Sequence, residues 1–190
     1  TYQKVVVFSD ASLETVANGG TGKSIICNAV GQLRCVAMVN GKIFNAEDRF
    51  ALQDMHRDTQ IVCFDDVKRK FRFEYLNSHI TSSYGFEKKN KDRFVFPPEC
   101  NPKTVITTNF SIRNSHGDTA KRRMFLMEIY NYYNAEYTPS MEFGETFFRW
   151  QPEEWNTFYN YMFSCCQEYL QNGARINPYV SGTLDRRNLI

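Results

Sequence analysis

The run Asn18-Gly19-Gly20-Thr21-Gly22-Lys23-Ser24 constrains this chain more than any other stretch. Glycines tolerate positive φ, so successive backbone N–H groups can converge on one anion, and a helix opening at Lys23 points its positive end to the same place. The pattern GxxxxGK[ST] is met with Ala17 in place of its first glycine. In such a loop Lys23 reaches the β and γ phosphates of a nucleotide and Ser24 gives its hydroxyl to Mg2+. Taken alone, the stretch also fits a glycine-rich turn before a helix whose lysine faces water. Its flanks bear on that choice. Lys4 to Phe8 is a short β-branched run of the buried type. Ile25, Ile26, Ala29, Val30 and Leu33 recur at helical spacing, which predicts a helix of about ten residues opening at the loop. Ser9 to Ala17 make the step from strand to loop longer than usual.

Two downstream runs add chemistry. Ile61-Val62-Cys63-Phe64-Asp65-Asp66 is an apolar strand ending in two carboxylates. In a doubly wound sheet ligands bind at the carboxyl ends of strands, so these acids are expected to meet the same Mg2+ and the attacking water. A solvated turn is the alternative for either one alone. Lys103 to Asn109 is a second β-branched strand, ending in a neutral amide that can orient the water without adding charge beside two aspartates. Beyond it, Ala120-Lys121-Arg122-Arg123 leads into the strand Met124 to Ile129. An arginine keeps its charge and presents a fork of donors to phosphate oxygens, which suits a finger on the γ phosphate. Arg123 is the expected finger, with Arg122 as the alternative, and a solvated basic turn is the reading without the preceding motifs.

Tyr84 to Phe96 reads as a hairpin, with two aromatic and β-branched flanks around the polar tip Glu87-Lys88-Lys89-Asn90-Lys91-Asp92-Arg93. Its lysines suit backbone phosphates, which need point charge without sequence readout, or simply keep an exposed edge soluble.

In this order, the motifs resemble the superfamily 3 helicases, ring-forming ATPases of the AAA+ class encoded by viruses, phages and related mobile elements. Asn18-Gly19-Gly20 before Thr21-Gly22-Lys23-Ser24 is similar to the poxvirus-type primase-helicases found in phages. Phe64-Asp65-Asp66-Val67-Lys68, Glu87-Lys88-Lys89 with Phe96-Pro97-Pro98, and Thr107-Thr108-Asn109-Phe110 resemble motifs of the polyomavirus large T antigen helicase. The resemblance runs from about Val5 to Ile129. It implies an α/β P-loop core with a mostly parallel central sheet, a β-hairpin insertion and a C-terminal helical element. It also implies ATP bound with Mg2+ between subunits of a homo-oligomer, expected as a hexameric ring. Lys23, Asp65, Asp66, Asn109 and Arg123 would act on ATP, and Ser24, Asp65 and Asp66 would hold the metal. Lys89, supported by Lys88 and Lys91, would contact single-stranded DNA in the pore, with RNA left open; Asn90 stands where the family often has a histidine.

With 42% hydrophobic and 15% aromatic residues in 190, the chain can bury one core, and one domain is expected. A net charge of +2 excludes a global basic field, so any nucleic-acid contact must be local. The six cysteines show no CxxC spacing, which argues against a structural zinc site and for a reducing cytoplasm. No segment is long and apolar enough for a membrane span. The expected organisation is an ATPase core over 1–150 with its pore hairpin at about 84–98, an amphipathic helix over 151–173 packed on the core, and a tail or linker over 174–190. Strand signals also flank Asn40-Gly41, predicting a hairpin of 34–39 with 42–44, and 45–55 reads as helical. A chain starting at Thr1 with a strand so close reads as a fragment of a longer protein, with a primase or origin-binding domain upstream. The functional expectation is a replicative helicase motor of a phage or mobile element. The rivals are an ATP-switched loader or packaging motor without unwinding, and a P-loop kinase for a small metabolite.

Overall fold

A computed structural model describes residues 4–11, 20–69, 71–110, 122–134, 136–144 and 147–173. They fall into two compact units, one ending at Asn131 and the other beginning at Tyr132. In chain order, the first unit has β1 (Val5–Asp10), α1 (Lys23–Gly31), β2 (Val36–Asn40), β3 (Ile61–Val67) and α2 (Glu74–Thr81). A hairpin of β4 (Gly85–Phe86) and β5 (Phe94–Val95) follows, then β6 (Lys103–Thr108) and β7 (Met124–Ile129). The sheet runs β2-β3-β6-β1-β7, and every neighbouring pair is parallel. This is the α/β layout read from the sequence, with its parallel sheet, hairpin insertion and C-terminal helices.

A parallel sheet must bury both faces, and side-chain alternation assigns each residue to one of them. Val5, Val7, Ala37, Val39, Val62, Phe64 and Ile106 join one buried cluster, together with Leu76 of α2 and Phe86 and Phe96 of the hairpin segment. Phe8 and Cys63 join the other, with Val6, Val36, Met38 and Val105 packed against it and Cys27 and Ile26 contributed by α1. Cys27 Sγ lies 3.1 Å from Cys63 Sγ. The contact with Cys27 and then burial push the Cys63 thiol upward in pKa, keeping it protonated as a packing group.

Two local expectations are corrected. The Asn40-Gly41 pair does not turn a hairpin: residues 41–43 form a turn, and β2 pairs in parallel with β3. Gly41 N donates to Asp65 O at 2.6 Å, and a Cβ there would meet Val67 Cγ1 at 2.6 Å and Asp65 O at 2.7 Å. The glycine is required by this close approach of two backbones rather than by a reversal. Residues 45–55 form successive turns instead of a helix, with Asn45 and Asp48 side chains accepting from backbone amides two residues on, a bonding habit that competes with helix.

The second unit holds α3 (Pro139–Phe143) and α4 (Pro152–Asn172). Helix α4 starts at a reciprocal capping box between Gln151 and Glu154, with Pro152 in its first turn, and ends at Gly173 with φ 69°. None of its residues is buried. Trp150, Trp155 and Phe158 pack on one another, with ring centroids 5.1–5.9 Å apart. The expected tail over 174–190 lies outside the described residues. No helix among the described residues is long and apolar enough to cross a membrane.

Candidate functional site

The carboxyl ends of β1, β3 and β6 bring the acids, the loop and the amide to one edge of the sheet. Ala17, Asn18 and Gly19 lie outside the described residues. The rest of the loop has Gly20 at φ 78° and Gly22 at φ 88°, a region that favours glycine. Gly22 is the N-cap of α1, which has no side-chain cap and no acid in its first turn. Among the described residues no local side chain caps the helix's leading amides, the arrangement in which a helix terminus can take an anion. Lys23 is buried and donates to Asp10 Oδ1, and at 3.0 Å to Thr21 Oγ1. Thr21 Oγ1 itself donates to Asp10 Oδ1 at 2.5 Å.

The two aspartates at the end of β3 have different surroundings. Register with β6 runs Phe64 to Ile106 and then Val67 to Thr108, so two residues of β3 face one of β6. This bulge places Asp66 at φ 56° and breaks the strict up-down alternation of a strand. Asp65 Oδ1 accepts from Ser24 Oγ at 2.7 Å and from Thr107 Oγ1 at 2.6 Å. Asp66 N donates to the same Thr107 Oγ1 at 2.7 Å, while its carboxylate pairs with Lys42 Nζ at 2.6 Å. The Asp66 carboxylate, first as hydrogen-bond partner and then as charge, raises the Lys42 ammonium's pKa. Asp65 is therefore joined to the loop, and Asp66 to the turn after β2. A serine hydroxyl and a carboxylate in contact are hard oxygen donors of the kind Mg2+ takes, since that ion binds through one or two protein oxygens alongside phosphates and water. Ser24 and Asp65 fit it.

Asn109 follows β6 directly, and the β1–β6 register of Ser9 with Thr108 carries Asp10 and Asn109 alongside each other. Arg122 and Arg123 stand elsewhere. They immediately precede β7, whose Met124 is in register with Val5 at the start of β1. The six residues of β1 separate that amino edge from Asp10, roughly 16 Å at 3.3 Å per residue. Arg123 Nη1 donates to Asn77 Oδ1 of α2 at 2.7 Å. Within one chain the arginines do not join Lys23, Ser24 and Asp65.

The hairpin is rooted at the amino edge too. Asn101, two residues before β6, accepts from Tyr84 N at 3.0 Å and donates to Ser82 O. At the tip, Lys91 N donates to Lys88 O at 3.1 Å and Asn90 takes φ 59°, a conformation Asn tolerates better than most residues. Glu87 accepts two hydrogen bonds from Arg49, at 2.5 and 3.3 Å. Lys88 lies 5.9 Å from the Phe86 ring centroid, whereas Lys89 and Lys91 are exposed. A cavity of about 550 Å³ opens beside this root, with Arg49, Tyr75, His79, Phe86 and Arg93 in its wall.

Sequence reasoning missed Asp10, Thr107 and Lys42. Asp10 had a signal: like Asp65, it is a carboxylate closing a buried β-branched run. Thr107 belongs to the Thr107-Thr108-Asn109-Phe110 stretch but drew no role of its own beside Asn109, and Lys42 was placed in a hairpin strand that does not form.

Residues 16–123, more than half of the chain, match the Family of unknown function (DUF5906). No curated protein matches the sequence. Among solved structures, the A form apo structure of the NrS-1 C-terminal region is similar at 17% identity and a TM-score of 0.46, over 84% of this chain. The chain spans about a third of that region, 33% of its length.

Proposed function

The chain belongs to that family of unknown function (DUF5906), and we propose that it is the ATP-hydrolysing motor domain of a superfamily 3 replicative helicase of a phage or mobile element. The observation that carries this reading is the hydrogen-bonded link of Ser24, Asp65 and Thr107 at the carboxyl edge, directly under a loop with two left-handed glycines. Loop amides and Lys23 bind the phosphates. Ser24 and Asp65 would hold Mg2+, which would supply positive charge against that of the phosphates. Asp66, the carboxylate not joined to the loop, takes the proton of the attacking water once it parts from Lys42, and Asn109 orients that water. Arg123 acts on the γ phosphate bound by a neighbouring subunit, since a group roughly 16 Å away along the sheet cannot serve its own chain's site. Lys89, with Lys88 and Lys91, tracks the phosphates of single-stranded DNA through a ring, proposed to be hexameric, in a host cytoplasm. An upstream primase or origin-binding domain completes the protein.

The test is ATPase rate per subunit against protein concentration, with and without single-stranded DNA, for the wild-type chain and Arg123→Ala. A rate that rises with concentration, increases with DNA and vanishes in the variant is the expected result. A flat, DNA-independent rate that survives Arg123→Ala would overturn the shared site and leave the kinase or switch.

A further inference from the structure

We propose that Asp10 is a resident stand-in for phosphate, a buried counter-ion that sets how much negative charge a ligand must bring before the loop accepts it. The proposal rests on the nucleotide reading above and concerns a residue that reading does not use. Asp10 is 2% exposed and Lys23 7%, so their ion pair is formed inside the protein, where neither charge has water to fall back on. The same Oδ1 accepts from Thr21 Oγ1, the side chain between the two left-handed glycines. One carboxylate thus neutralises the loop's cation and pins the loop's shape.

The consequence is competition. An anion reaching Lys23 must take over the ammonium's hydrogen bonds, and it leaves Asp10 beside added negative charge, where like charges repel. A single phosphate gains too little from one lysine to offset this. A polyphosphate, contacting loop amides, the α1 terminus and Lys23 together, gains enough. Asp10 is accordingly a specificity-determining residue that keeps the site closed to small anions.

Calorimetric titration of ATP, pyrophosphate and inorganic phosphate into wild type and Asp10→Asn, with and without Mg2+, tests this. Asn keeps a side-chain oxygen toward Thr21 and Lys23 but removes the charge. Pyrophosphate and ATP should bind about tenfold or more tighter to the variant, with or without Mg2+. Inorganic phosphate should become measurable. Unchanged or weaker binding of all three would make Asp10 a plain structural partner and overturn the proposal. Weakening seen only with Mg2+ would make it a metal ligand and overturn it as well. Lys23→Ala separates the two levels of inference. If that variant binds ATP as wild type does, the nucleotide reading and the Asp10 proposal fall together. If it loses binding while Asp10→Asn gains none, the Asp10 proposal alone falls. Asp10→Ser, smaller and neutral, carries the same expectation should Asp10→Asn fold poorly.

Discussion

The two edges of the one parallel sheet are built differently. At the carboxyl edge Asp10, Lys23, Ser24, Asp65 and Thr107 are locked to one another over short distances, with Asp10, Lys23 and Thr107 buried. At the amino edge the hairpin is anchored at its root by Asn101 but ends in exposed Lys89 and Lys91, and Arg123 is held by one hydrogen bond to α2. Under the proposed function the difference matches what each edge would meet. Chemistry on a phosphate needs donors fixed in advance, and a partner that moves needs charge that can follow it. A substitution at the carboxyl edge should therefore cost much stability as well as activity, whereas one at the amino edge should cost activity and little stability.

The largest expected effect tests the second half of that statement. Arg123→Ala should lower turnover by about 10³- to 10⁵-fold while ATP binding persists, and the lost bond to Asn77 should cost only about 1 kcal/mol in denaturant unfolding. Mixing it with Lys23→Ala should restore activity, and no rescue at assembling concentrations would break the assignment. Lys23→Ala should itself lower stability by about 1.5–3 kcal/mol, because it removes a charged hydrogen-bond donor from the buried Asp10 carboxylate; a loss under about 1 kcal/mol in the same assay would mean the ion pair is not the buried lock described. Gly41→Ala should cost about 1–3 kcal/mol, since its Cβ meets backbone that carries both aspartates, and hydrolysis should fall with it. Lys89→Ala should leave stability within about 0.5 kcal/mol and reduce the salt dependence of single-strand binding by about one unit of slope. An unchanged slope would remove the tip from the interface.

The smallest effect concerns pH. Burial lowers the His79 pKa beneath its ordinary 6.5. The unfolded chain then binds that proton first, so stability present above pH 6.5 declines as pH falls toward the folded value. Unfolding followed between pH 7 and 5 should show a shallower decline in His79→Leu, and identical slopes would place the acid sensitivity elsewhere.

Much of the carboxyl edge is legible in the amino-acid sequence. Buried β-branched runs at 5–8, 61–64 and 103–108 announce parallel strands, and acids or an amide at the ends of two of them announce the site. The amino edge is legible as a hairpin from its flanks and its polar tip. The Asn40-Gly41 pair misleads, because turn chemistry favours a reversal there and only packing against Val67 shows why glycine is needed. Which of Asp65 and Asp66 joins Ser24 and which joins Lys42 is illegible, since identical residues carry no local distinction.

The sequence by itself determined the strand runs at 5–8, 61–64, 103–108 and 124–129, the helix that opens at the loop, the long C-terminal helix, and the chemical groups at the ends of two of those strands. These depend on periodicity and turn chemistry acting over a few residues. Only the tertiary structure decided that Asp10 holds Lys23, that a bulge in β3 opposite Thr107 turns Asp65 toward Ser24 and Asp66 toward Lys42, and that Arg123 lies at the far edge. Those outcomes depend on strand order and register between residues tens of positions apart, where a slip of one residue would send every side chain to the other face.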